Sequence, residues 1–225
     1  MNIRFFALAA LAAGSCFGQI QYFDAFQVRY ASNLAIGDSV INFTNDGSSS
    51  TDTGLATGGA QNGDICANIY AYSPDEQLVS CCSCNVTPNG LNSLSVKNDL
   101  ASNTLTPIIP SALVIKIIST EGGAKCTASS AATTLLQRLV PGLHAWGTTI
   151  HALPVTAGTP ATTYGVTETP FSFPTLASST ILLKGFPSFT ELDRMSQLCA
   201  FIRANGSGYG ICKSCKVGGL GASSK

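Results

Sequence analysis

Nine cysteines and two histidines are the residues of this 225-residue chain best equipped for chemistry. The cysteines stand at 16, 66, 81, 82, 84, 126, 199, 212 and 215. Cys16 falls in an expected export leader. The other eight, Cys66, Cys81, Cys82, Cys84, Cys126, Cys199, Cys212 and Cys215, are an even set that suits disulfides in an oxidising compartment. They admit about a hundred connectivities, and spacing alone does not choose among them. In a cytosolic protein Cys81-Cys82-Ser83-Cys84 with Cys212-Lys213-Ser214-Cys215 would suggest zinc. Lys213 and Lys216 would also favour a thiolate, as a redox pair needs. Lys216 stands where covalent haem attachment requires histidine. The leader moves the expectation to structural disulfides, with neither metal nor cofactor.

Acid–base chemistry has little to work with. His144 and His151 are seven apart, so on a strand they point to opposite faces and do not form a two-histidine metal site. Asp75 and Glu76 sit in a turn sequence and read as a solvated tip. Gly206-Ser207-Gly208-Tyr209-Gly210 has a phosphate-loop look, but it follows a helix and does not open one. Asn42-Phe43-Thr44 and Asn205-Gly206-Ser207 are glycosylation sequons, relevant only in a host that glycosylates. No catalytic residue is assigned.

The elements that must hold these residues are mostly strands. Ile20, Tyr22, Phe26, Val28 and Tyr30 alternate with Gln21, Gln27 and Arg29, which predicts a half-buried strand with its polar residues outward. Asp38 to Thr44 predicts a second strand, ending at the turn Asn45-Asp46-Gly47. Residues 46–63 and 155–170 read as polar loops. Cys66 to Tyr72 and Leu78 to Val86 predict a hairpin around Ser73-Pro74-Asp75-Glu76-Gln77. If Tyr72 faces Leu78, Cys66 faces Cys84, and a two-residue slip would bring Cys82 there instead. Cys82 and Cys84 share one face and Cys81 takes the other, aimed at a different layer. Leu113 to Thr120 predicts a central strand, Trp146 to Leu153 another, and Thr180 to Leu183 a further one. Ala128 to Leu139 is a weak helical candidate. Leu192, Met195, Cys199 and Ile202 form a helical stripe, with Ser188 and Glu191 as a capping box and Asn205-Gly206 as the stop. The fold class is mainly β: an antiparallel β-sandwich-like domain with a C-terminal α-helix, disulfide-stabilised.

The first residues indicate export. Arg4, the apolar run Phe5 to Ala13 and the small residues around Gly14-Ser15 follow the signal-peptide pattern, with cleavage expected after Gly18. A lipoprotein anchored through Cys16 is the less favoured variant, since Ala13 stands where a lipobox has leucine. Residues 19–216 are expected to form one domain and 217–225 a flexible tail. No later stretch is apolar for long enough to predict a membrane-spanning helix. Charged residues are 11% of the chain, and 47 serines and threonines outnumber the 24 charged side chains. The net charge of zero argues against a phosphate-tracking surface, so nucleic acid is not an expected partner.

The stretch Cys66 to Leu100 (CANIYAYSPDEQLVSCCSCNVTPNGLNSLSVKNDL) with Gly206 to Cys215 (GSGYGICKSC) resembles exported, cysteine-containing bacterial proteins of an acidobacterial-type family of unknown function. The resemblance implies export and a cysteine framework, and carries no activity. The functional expectation is a secreted or cell-surface, non-catalytic domain for structure, adhesion or assembly, with an extracellular protein or polysaccharide as partner. The alternatives are a secreted hydrolase or carbohydrate-active protein, built where a histidine meets a carboxylate or hydroxyl, and an extracytoplasmic thiol-disulfide protein using Cys212 and Cys215.

Overall fold

A computed structural model describes residues 24–51, 63–101, 109–123, 126–131, 134–135, 138–154, 163–173, 189–205 and 215–217. It is an antiparallel, sandwich-like pair of sheets with one C-terminal helix. The first sheet has the order β1 (Phe26–Ala31), β6 (Leu113–Glu121), β3 (Ile65–Tyr72), β4 (Leu78–Val86). The second has the order β8 (Tyr164–Pro170), β7 (Leu143–Ala152), β2 (Val40–Asn45), β5 (Leu91–Ser95), β9 (Lys216–Val217). The helix α1 spans Phe189–Ala204.

The first sheet is covered on both faces. Ile65, Ala67, Ile69, Ile115 and Ile117 face the second sheet and meet Ile41, Phe43 and Leu94. Tyr70, Tyr72, Ile118 and Phe26 face the other way, against Leu192, Met195 and Cys199 of α1. Every residue of β3 is therefore buried. That explains its unalternating sequence, because a strand with two covered faces has no polar side to show. Asn68 is its polar exception, and its amide donates to the Ile118 carbonyl at 3.1 Å and to Thr120 Oγ1 at 3.0 Å. Lys116 on the central strand β6 is likewise paired, with Glu191 of α1, and lies 5.0 Å from the Tyr72 ring centre.

Three expectations need correction, and others fall partly or wholly outside the described residues. Tyr72 does oppose Leu78, but a bulge between Ala71 and Tyr72 shifts the rest of the hairpin by one residue. Ala67 then opposes Cys84 and Cys66 opposes Asn85, so Cys66 and Cys84 point to opposite faces. Gln27 and Arg29, expected in solvent, are 1% and 6% exposed, whereas Tyr30 is 61% exposed. Residues 155–170 are not all loop, because Tyr164–Pro170 is strand β8. In the Ala128 to Leu139 stretch, Thr134 and Leu135 are helical. The expected strand at Thr180 to Leu183 and the capping residue Ser188 lie outside the described residues.

The sandwich is bridged at both edges. On one, the chain beyond β8 leaves β7 and pairs with β1. Val28 and Ser172 exchange two backbone hydrogen bonds of 2.9 Å. On the other, β4 ends the first sheet and β9 ends the second, and Cys84 is bonded to Cys215 across them.

Candidate functional site: an open strand and two histidines

The cysteines form a framework. Cys66 is bonded to Cys126, Cys81 to Cys199 and Cys84 to Cys215. Cys81 points to the α1 side of the first sheet, so its bond ties helix to sheet. Cys84, on the inner face, ties sheet to sheet. Cys82 is disulfide-bonded as well, to a partner outside the described residues. Cys215 is held by Cys84 and not by Cys212, so a Cys212–Cys215 redox pair is not formed. Cys212 lies outside the described residues. So do residues 206–210 of the glycine-rich segment.

The histidines lie on opposite faces of β7, as strand geometry requires. His144 Nε2 is 2.9 Å from Asp46 Oδ2, and both side chains are about half exposed. Partial burial pushes the Asp46 carboxyl up, but hydrogen bonds from His144 and Ser48 outweigh it, and the net shift is downward. Ser48 donates its backbone N–H to the Asp46 carboxylate at 2.8 Å, and its side chain bonds there as well. His151 Nε2 lies 2.8 Å from Thr167 Oγ1 on β8. Asp75 and Glu76 sit at an exposed turn, with Glu76 at φ 65°. Among the described residues, no three His, Cys, Asp or Glu side chains are placed to hold a metal ion. No described helix is long and apolar enough to cross a membrane.

The feature that sequence reasoning missed is β8. It pairs with β7 from Tyr164↔Ala152 to Pro170↔Trp146 and is the last strand of its sheet. Leu153 N–H donates to the Thr163 carbonyl at 2.8 Å, and Phe171 N–H to the Ala145 carbonyl at 2.9 Å. These bonds fix the phase of the ladder. Odd-numbered residues of β8 turn their backbone groups toward β7, and Tyr164, Val166 and Glu168 turn theirs away. All of β8 except Gly165 is exposed, with Tyr164 at 48% and Val166 at 64%. Among the described residues no strand pairs with the outer edge of β8, so the β7–β8 hairpin is an arm with one open edge there. At its base β8 diverges from β1, leaving an open groove of about 430 Å³ lined by Val28, Arg29, Tyr30, Thr169, Pro170 and Ser172. The alternation Tyr164-Gly165-Val166-Thr167-Glu168 carried the strand signal, but the threonines, prolines and glycines upstream hid it.

No protein-family model matches this chain, and no curated protein or solved structure is significantly similar to it. Fold and site together define its class: a disulfide-stapled antiparallel β-sandwich with a helix packed on one sheet and an open edge strand on the other.

Proposed function

We propose that this is an exported, cell-surface domain with a non-catalytic role in structure, adhesion or assembly. The observation that carries the reading is the β8 arm, whose outward backbone groups have no partner among the described residues and stand beside the exposed side chains of Tyr164 and Val166. Evolved sheets usually shorten, charge or cover such edges, because an open edge templates pairing with another chain. The framework of disulfides agrees with export, since such bonds persist in oxidising compartments. Met1 to Gly18 supplies the expected leader, and Cys16 leaves with it.

The test is localisation and processing in the producing cell. The expected result is a mature chain beginning at Gln19, labelled on intact cells by a membrane-impermeant reagent and recovered in envelope-associated assemblies. Cytosolic protein that retains Met1 and has free thiols would overturn the reading. The contact between His144 and Asp46 favours one rival, a secreted hydrolase. That rival requires turnover of an ester or glycoside that His144→Ala abolishes.

A further inference from the structure

We infer that the open edge of β8 pairs with β8 of a second copy of this chain, antiparallel and centred on Val166. The inference rests on the assembly reading above and names its partner. Tyr164, Val166 and Glu168 each turn an N–H and a C=O away from β7. A two-fold axis at Val166 sets Val166 against Val166 of the second copy, and Tyr164 against its Glu168. Each of these is a pair that exchanges both backbone bonds, so all three open donors and all three open acceptors of one strand meet the same set on the other. Registers centred on Gly165 or Thr167 also set outward groups against outward groups. The first bonds only Tyr164 with Val166 and carries Glu168 past the end of the partner β8. The second bonds only Val166 with Glu168 and sets Tyr164 opposite Pro170, which has no N–H. The Val166 register alone uses all three outward residues of both strands.

Charge selects among the remaining registers. Glu168 is the one ionised side chain of β8. Centring on Glu168 would set two carboxylates directly opposite each other, which destabilises a strand pair. Centring on Val166 separates them by four residues along the ladder, about 13 Å, beyond the screening length at physiological salt. The exposed side chains of Tyr164 and Val166 lie on one face of β8 and would continue across the axis. An interface of this kind is isologous and closes at the dimer. Pro170 lacks an N–H, which ends the pairing at the base of the arm.

The test uses the mature, disulfide-intact protein in sedimentation velocity over a wide concentration range, with amide exchange read residue by residue. The expected result is a reversible dimer in which amides of Tyr164, Val166 and Glu168 gain protection as concentration rises. Those of Gly165 and Thr167, already bonded to β7, should not change. Val166→Pro removes one outward N–H and should weaken dimerisation at least tenfold. Val166→Lys leaves the backbone intact, sets two ammonium groups opposite each other, and should do the same. Preserved protection at Gly165 and Thr167 in either variant verifies that the arm is still folded. A chain monomeric throughout, or a dimer that both folded variants leave unchanged, overturns the inference. Protection of the three outward amides in a monomer would assign the edge to another segment of this chain and would also overturn it. The assembly reading has a separate fate, because envelope-associated assemblies that survive both variants would sink β8 pairing and leave that reading standing.

Discussion

The two bridged edges of the sandwich solve one problem by different means. At the β4/β9 edge the sheets are joined covalently by Cys84–Cys215, and the strand that follows, β9, is two residues long. At the β1/β8 edge there is no covalent link, and buried polar side chains do the joining. Where the chain after β8 turns to β1, the Ala145 carbonyl still accepts from Phe171 N–H, but the Leu143 carbonyl and the Ala145 N–H of β7 lose their strand partner. The Gln27 amide takes that place. Its nitrogen donates to the Leu143 carbonyl at 2.5 Å, and its oxygen accepts from Ala145 N–H at 3.2 Å. Two bonds of a missing strand are thereby supplied by one side chain, which meets the rule that buried backbone groups must be paired. Arg29 extends the seam, donating to the Thr169 carbonyl at 2.8 Å and to Thr149 Oγ1 at 2.9 Å. Burial holds its guanidinium below the usual arginine range, and the charge of Glu168 partly restores it. Gly147 is glycine because of this approach: a Cβ there would sit 2.8 Å from Arg29 Nε. A covalent edge constrains the sequence at two residues, whereas a hydrogen-bonded one constrains every residue whose polar atoms it buries.

Cutting each edge should break this comparison open, and the covalent edge should lose more. Cys84 and Cys215 are 131 residues apart, and closing a loop of that length is expected to contribute about 2–5 kcal/mol by restricting the unfolded chain. The double variant Cys84→Ser/Cys215→Ser should therefore lower the urea midpoint sharply. Non-reducing peptide mapping should still find Cys66–Cys126 and Cys81–Cys199. An unchanged midpoint would mean that the sheets hold together at this edge without the bond.

At the hydrogen-bonded edge, Gln27→Ala leaves Leu143 C=O and Ala145 N–H buried and unpaired. The expected cost is about 2–3 kcal/mol. Amide exchange should localise the loss, with Ala145 and Ser172 exposed sooner than residues of β3. A uniform loss across both sheets would contradict a local role for Gln27.

The same edge marks the limit of what the sequence disclosed. The sheet content, the central strand at Leu113, the helical stripe through Leu192, Met195 and Cys199, and the direction of Cys81 were legible, because each follows from periodicity within one segment. The Gln27 and Arg29 face was misread because period-two alternation reports only that the two faces differ. It takes polar residues to be outside, whereas here they answer unpaired groups on β7, 116 and more residues away. The Cys66 partner was missed for an equally physical reason. One extra residue at Val79 exchanges the faces of the strand beyond it, and no residue type announces the bulge. Leu91 to Ser95 escaped notice as a strand because Asn92, Ser93 and Ser95 look like loop residues, yet all three are buried between neighbouring strands.

The smallest effect belongs to the exposed counterpart of the Gln27 bridge, the contact between His144 and Asp46 one residue along β7. Hydrogen bonds from His144 and Ser48 overcome the effect of burial and lower the Asp46 carboxyl from its usual range. A carboxyl whose affinity for protons falls on folding adds stability above its unfolded value and loses it as pH drops through the folded value. With the two side chains 52% and 44% exposed, solvent screening keeps the contribution below about 1 kcal/mol. Asp46→Asn should therefore lower the urea midpoint slightly at pH 7. The difference from wild type should shrink as pH falls below the carboxylate range. A cost for Asp46→Asn that is as large as that of Gln27→Ala, or that persists undiminished in acid, would remove the contrast between a buried polar bridge that holds an edge and an exposed one that merely decorates it.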